Sequence, residues 1–175
     1  MQTIVAVDQN YAIGYRGGML FHLPEDLKYF ARMTRGKTLV MGRATLESFP
    51  GGKPLPGRPH IILSRDMNFA VPGAAVVHSL RELREAIANY APDQVFLVGG
   101  GQLYSQLIDC CDTAYVTRVR AEAEEADCRF PSLNERPGWR LAEESEPIED
   151  NGMVYTHCRY ENSNVLPIES ADQSI

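Results

Sequence analysis

Short β-branched or aliphatic runs alternate with segments of helical period along this chain, and a chain patterned that way is restricted to largely parallel strands joined by crossover helices. Runs near 2–8, 37–41, 59–64, 74–77, 94–98, 113–119, 138–144 and 152–160 read as strands, and helical patterns fall near 24–34, 43–49, 79–90 and 101–108. The closing pair around Glu149-Asp150-Asn151-Gly152 reads as an antiparallel hairpin with a loop. The expectation is therefore an α/β fold with a mixed, mostly parallel sheet. At 175 residues and 44% hydrophobic, the chain is long enough for one substantial core. Residues 1–162 are expected to form that single domain, and the polar, aperiodic stretch 163–175 a flexible tail.

Several classes are excluded early. Cys110, Cys111, Cys128 and Cys158 form no CxxC and have no ligand-spaced histidines. Neither a metal site nor a disulfide framework follows, and buried thiols in a reducing, cytoplasmic setting are expected. The opening residues make a short strand, with no secretory signal and no membrane span. The net charge of -6 conceals an asymmetry: residues 28–65 carry eight Lys or Arg against Glu47 alone, while 120–150 carry ten acids and four arginines. A positive region on an acidic protein suits a small polyanion better than nucleic acid.

Asp26 stands out in the helix opened by Leu23-Pro24-Glu25-Asp26-Leu27. At about 100° per residue, Leu23, Leu27, Phe30, Ala31 and Thr34 share one sector, and Glu25, Lys28 and Arg32 point away. Asp26 lies at the edge of the apolar sector. A carboxylate there favours the helix dipole, and it is also placed for proton chemistry.

Three strand ends carry anion-binding chemistry. Thr38-Leu39-Val40-Met41 runs into Gly42-Arg43-Ala44-Thr45, Ile61-Ile62-Leu63 into Ser64-Arg65, and Val95-Phe96-Leu97-Val98 into Gly99-Gly100-Gly101. In an open α/β sheet ligands bind outside the carboxyl ends of the strands, and helix N-termini offer N–H groups to phosphate. Arginines, with Ser64 and Thr45, favour a ribose 2′-phosphate, hence NADP over NAD. The long segment 9–22, with apolar side chains between glycines, is expected to be a lid.

These residues carry a resemblance. Ile13-Gly14, Leu23-Pro24-Glu25-Asp26-Leu27 with Phe30, Met41-Gly42-Arg43-Ala44-Thr45-Leu46-Glu47-Ser48, Pro54-Leu55-Pro56-Gly57-Arg58, Leu63-Ser64-Arg65, Val98-Gly99-Gly100-Gly101, Tyr115-Val116-Thr117, and Asp127 with Phe130-Pro131 together resemble dihydrofolate reductase of the bacterial chromosomal type, in order over about residues 2–160. The resemblance implies an eight-stranded sheet flanked by about four helices. It also implies a cytoplasmic, monomeric enzyme that reduces 7,8-dihydrofolate to tetrahydrofolate with NADPH, supports one-carbon and thymidylate metabolism, and is a target of antifolates.

By carry-over, Asp26, Thr117 and Phe21 form the catalytic group, with Phe21 standing where the family usually has Trp. Ile4, Val5, Leu27, Phe30, Phe49, Leu55, Val98 and Tyr104 would meet the substrate, and Arg58 its glutamate α-carboxylate. Ala6, Ile13, Gly14 and Met19 would lie near the nicotinamide, and Gly42, Ala44, Thr45, Leu63, Gly100, Gly101, Gln102, Leu103 and Tyr104 along the phosphates and beyond. Arg43, Ser64 and Arg65 would hold the 2′-phosphate, and the Gly99–Gly100 peptide would be cis. By the same resemblance no other ionisable side chain from the matched motifs would face the pterin, and His22 is expected at the surface. Two further readings share the cofactor site: a reductase of another pterin or of a ribosylaminopyrimidine, and a non-catalytic folate- or nucleotide-binding module.

Overall fold

A computed structural model describes residues 1–171. The first strands are β1 (Gln2–Val7), β2 (Ala12–Tyr15) and β3 (Gly18–Met19), followed by α1 (Pro24–Thr34), β4 (Thr38–Gly42) and α2 (Arg43–Ser48). Then come β5 (His60–Leu63), β6 (Ala75–Val77), α3 (Leu80–Ile87), β7 (Val95–Leu97), α4 (Gly101–Leu107) and β8 (Thr113–Val119). Strands β9 (Cys128–Arg129), β10 (Trp139–Glu144), β11 (Ile148–Asp150) and β12 (Met153–Asn162) complete the described chain.

The main sheet runs β10-β12-β8-β1-β7-β4-β5-β6, with β11 added to β12. From β8 to β6 every pairing is parallel, and β12 joins β8, β10 and β11 antiparallel. Both faces are covered, which is why the inner strands read as unbroken apolar runs. Side chains alternate between the faces. Val40, Ile61, Leu63 and Leu97 enter one cluster with Leu80, Leu83 and Leu107, whereas Leu39, Met41, Ile62 and Phe96 enter the other, against which Tyr29, Phe30 and Met33 of α1 pack.

Helix α1 begins at Pro24, whose missing N–H costs nothing in the first turn. Leu23 at its N-cap supplies no side-chain cap. The tip of the β11–β12 hairpin does so instead: Asp150 Oδ2 accepts from Glu25 N–H (2.8 Å), and Asn151 Nδ2 donates to the His22 carbonyl (2.9 Å). That hairpin turns on Asn151 and Gly152 at φ 50° and 75°, the geometry for which Asn-Gly is suited.

The lid is more ordered than a loop. Within 9–22, β2 and β3 pair antiparallel, and β9 adds to β2, making a second three-stranded sheet. The β2–β3 turn has both central residues, Arg16 and Gly17, at positive φ (49° and 76°). Arginine rarely takes that conformation, so the sequence shows no hairpin signal there. The carboxylates on either side hold it: Asp127 accepts from Arg16 N–H (2.8 Å), and buried Asp8 accepts from the N–H groups of Asn10, Ala12 and Ala123 (2.7, 2.8 and 2.9 Å).

In the segment expected as a tail, Leu166 N–H donates to the Asp109 carbonyl (2.8 Å), Arg84 pairs with Glu169, and Ile168 packs against the core. Residues 172–175 of that expectation lie outside the described residues. The four cysteines are free thiols, three of them buried. No helix among the described residues is long and apolar enough to cross a membrane.

Candidate active site

A cleft of about 580 Å³ opens at the carboxyl ends of β4, β5 and β7. Gly42, Arg43, Ala44, Thr45, Leu63, Ser64, Arg65, Gly100, Gly101, Gln102 and Leu103 all line it, so the structure brings the expected phosphate-side residues together. Helices α2 and α4 start here from Gly42 and Gly100, neither with a side-chain cap, which leaves first-turn N–H groups for an anion. The two strand ends are tied by Gly42 N–H donating to the Gly99 carbonyl (2.8 Å), and the Gly99–Gly100 peptide is cis. Glycine is required sterically at 101, where a Cβ would lie 2.7 Å from Cys128 Sγ and 3.1 Å from the Arg129 carbonyl of β9.

The three residues expected at a 2′-phosphate differ in readiness. Arg43 is engaged by Glu47 (2.7 Å) and Asp66 (3.5 Å) and lies over the Phe69 ring, and the Glu47 contact raises its pKa. Arg65 makes no hydrogen bond or ion pair among the described residues, and the buried Ser64 hydroxyl accepts from Asp66 N–H (3.2 Å). Arg65 is therefore the freer cation. Ala6, Ile13, Gly14 and Met19 do not line this cleft. Ile13 packs on the core, Met19 is exposed, and Gly14 approaches the cleft through Cys128, 3.6 Å from the position of a Gly14 Cβ.

Across β1 lies the second half of the site. The Asp26 side chain is 15% exposed, and Thr117 Oγ1 of β8 donates to its Oδ1 at 2.6 Å. Ile4, Val98, Phe30, Phe49 and Leu55 fall in one apolar cluster. Tyr104, fully buried, reaches across to donate its hydroxyl to the Ile4 carbonyl (3.1 Å), and burial pushes the phenol pKa up. Leu27 is exposed on α1. Val5 instead packs into the cluster on the other face of the sheet, one residue out of phase with Ile4. Phe21 packs with Leu23, Val119 and Tyr155.

Among the described residues Arg58 has no acidic partner. Its guanidinium donates there to neutral oxygens: Thr34 Oγ1 (3.0 Å) and the carbonyls of Ala31 (3.2 Å) and Pro56 (3.3 Å). Burial and then the nearby Arg35 lower its pKa, yet the group remains a cation. A half-buried cation held in place by uncharged acceptors is suited to an incoming carboxylate.

The loop bearing Leu55 and Arg58 is pinned by His60. Its Nδ1 donates to the Arg58 carbonyl (2.7 Å), and its Nε2 accepts from Leu55 N–H (3.1 Å), so the ring is neutral. Burial holds its pKa below the ordinary value. The unfolded chain then takes up a proton that the folded protein refuses, so this contribution is complete above about pH 6.5 and is lost as pH falls below it. Between the unfolded and folded pKa values the loss reaches up to about 1.4 kcal/mol per pH unit. Thermal unfolding at pH 5 and pH 7 is expected to show a steeper acid loss in the wild type than in His60→Asn; parallel losses would reject this linkage.

Two neighbours of Asp26 escape a motif-based reading. His157 of β12, which lies in none of the matched motifs, places Nε2 3.1 Å from Asp26 Oδ1. Tyr29 of α1 stacks on that imidazole, with ring centroids 3.9 Å apart. His157 is opposite Thr117 because β12 pairs with β8 in one particular register, and no local pattern in the chain specifies that register.

The arrangement is matched among known proteins. The family model described as dihydrofolate reductase matches residues 1–162. The dihydrofolate reductase of Bacillus subtilis (strain 168) is 36% identical over 163 residues, covering 92% of this chain and 94% of the relative, and that of Neisseria gonorrhoeae is 38% identical over 158 residues, covering 90% and 94%. A solved structure of the Enterococcus faecalis enzyme, complexed with NADP(H) and RAB-propyl, superposes with a TM-score of 0.82 at 32% identity, covering 93% of this chain and 95% of that one. A carboxylate held by Thr117 beside an apolar cluster, next to a glycine-lined anion cleft, thus sits within a match spanning nearly the whole chain, and the chain belongs to the dihydrofolate reductase family.

Proposed function

We propose that the protein reduces 7,8-dihydrofolate to 5,6,7,8-tetrahydrofolate with NADPH, with Asp26 as the acid on which the reaction turns. The observation that carries this reading is the largely buried carboxylate of Asp26, bonded by Thr117 and set beside the cluster of Ile4, Phe30, Phe49, Leu55 and Val98. The cofactor fits the chemistry of the donors: helix starts without a side-chain cap at Gly42 and Gly100, a hydroxyl at Ser64, and a guanidinium at Arg65 with no ion pair among the described residues. When bound, the reduced nicotinamide supplies the hydride that reaches pterin C6.

The chain's own residues prepare the acceptor. N5 of the substrate must be protonated for C6 to accept hydride, and a fixed negative charge at Asp26 favours the protonated ring. Phe30, Phe49 and Leu55 orient the pterin and benzoyl parts, and Arg58 takes the glutamate α-carboxylate. The β2–β3 lid, tied by Asp8 and Asp127, excludes bulk water. Residues 1–162 serve as one catalytic domain. We read the working form as a cytoplasmic monomer with no nucleic-acid or membrane partner, in keeping with its net charge of -6.

Mixing the protein with NADPH and dihydrofolate is expected to consume NADPH absorbance. Binding of both without that loss would reject the enzyme in favour of a binding module. Arg65→Ala is expected to reduce the preference for NADPH over NADH by about tenfold, the scale of one charge-assisted hydrogen bond. Arg43→Ala should reduce it less, because Glu47 and Asp66 already engage that side chain. An unchanged ratio in Arg65→Ala would place the 2′-phosphate elsewhere.

A further inference from the structure

Within the reductase reading, on which this rests, we propose that His157 is a positioning residue for Asp26: together with Thr117 it fixes Oδ1 and leaves Oδ2 to accept an N–H of the pterin. A carboxylate only accepts, so Nε2 of His157 is the donor in the 3.1 Å contact. Thr117 Oγ1 donates to the same oxygen at 2.6 Å, and Oδ2 has no hydrogen bond among the described residues. Two donors on one oxygen set the plane of the carboxylate, which a single donor leaves free to turn.

The imidazole is itself held on three sides. Tyr29 stacks on it at 3.9 Å and 17°, Tyr155 lies 5.3 Å away, and strand pairing sets His157 opposite Thr117, so both donors rise from adjacent strands against one helix. Its side chain is 20% exposed, close to the 15% of Asp26, so solvent competes weakly for the contact. Loss of one hydrogen bond to a charged group is an effect of about tenfold or more.

The test uses two replacements with opposite content. His157→Phe keeps a ring on Tyr29 and removes the donor, whereas His157→Gln removes the ring and returns an amide N–H near the place of Nε2. In steady-state turnover of dihydrofolate with NADPH, the phenylalanine variant is expected to lose about tenfold in kcat/KM, and the glutamine variant to recover to within about threefold of wild type. NADPH binding, followed by fluorescence, should be unchanged in both. Placed in an Asp26→Asn background, His157→Phe should cost little further, because the two act as a unit. Equal kcat/KM in His157→Phe and wild type overturns the assignment, as does equal impairment of the two variants or full additivity with Asp26→Asn. His157→Leu supplies a second donor-free variant if the phenylalanine form does not fold. A wild type that consumes no NADPH overturns the reductase reading instead, a result independent of the comparison among variants.

Discussion

Asp26→Asn is expected to lower turnover of dihydrofolate at neutral pH by about 10²- to 10³-fold, within the range contributed by a positioned acid or base. Asparagine preserves the volume of the side chain and keeps an oxygen that can accept from Thr117 and His157, so the packing around α1 survives. The negative charge does not. With it goes the bias toward a protonated pterin, and the loss should appear in kcat as well as kcat/KM, since the interaction strengthens as the reaction proceeds. Stability should fall only slightly, because a first-turn carboxylate contributes about 0.3–1 kcal/mol to its helix. NADPH affinity should remain unchanged, for the phosphate cleft lies beyond β1 and does not include Asp26. Pre-steady-state measurement of hydride transfer, beside an NADPH titration, separates these effects. Turnover near that of wild type at pH 7 would remove Asp26 from the centre of the chemistry.

Arg58→Leu carries the second large effect. A guanidinium fork meeting a carboxylate makes two charge-assisted hydrogen bonds, and in a half-buried setting their loss is expected to raise KM for dihydrofolate by about 10²-fold. A pteroate analogue lacking the glutamate should be barely affected, because Ile4, Phe30, Phe49 and Leu55 are untouched. The substitution also removes the bonds to Thr34, Ala31 and Pro56, so a stability loss of about 1 kcal/mol per bond is the upper range. His60 continues to bond the carbonyl of residue 58, which keeps the loop in place. Equal losses for both substrates would show that Arg58 shapes the cleft and does not bind the tail.

The parts legible in the chain are those fixed by local pattern. Helix α1 falls at 24–34 because Pro24 opens it and an apolar stripe from Leu23 to Thr34 carries it, and Gly36 at φ 71° follows its end. The anion cleft is legible because glycine, arginine and serine stand directly after three apolar strands. The engagement of Arg43 was also open to reading, since Glu47 lies four residues on along a helix. What the pattern does not carry depends on pairing between distant segments. The β2–β3 hairpin turns on an arginine in the left-handed region, where composition gives no warning. Val5 and Ile4 differ in face by one residue, a distinction that follows from strand register. His157 meets Asp26 across 131 residues, and Asp150 caps α1 across 125.

Those two long-range links have a consequence for the growing chain. Asp26 leaves the ribosome early, but the cap on its helix and the imidazole beside it arrive later, on β11 and β12. A nascent or truncated polypeptide ending before β11 would carry every glycine and arginine of the anion cleft and still lack a set carboxylate, so competence to reduce substrate should switch on only once β11 and β12 have emerged.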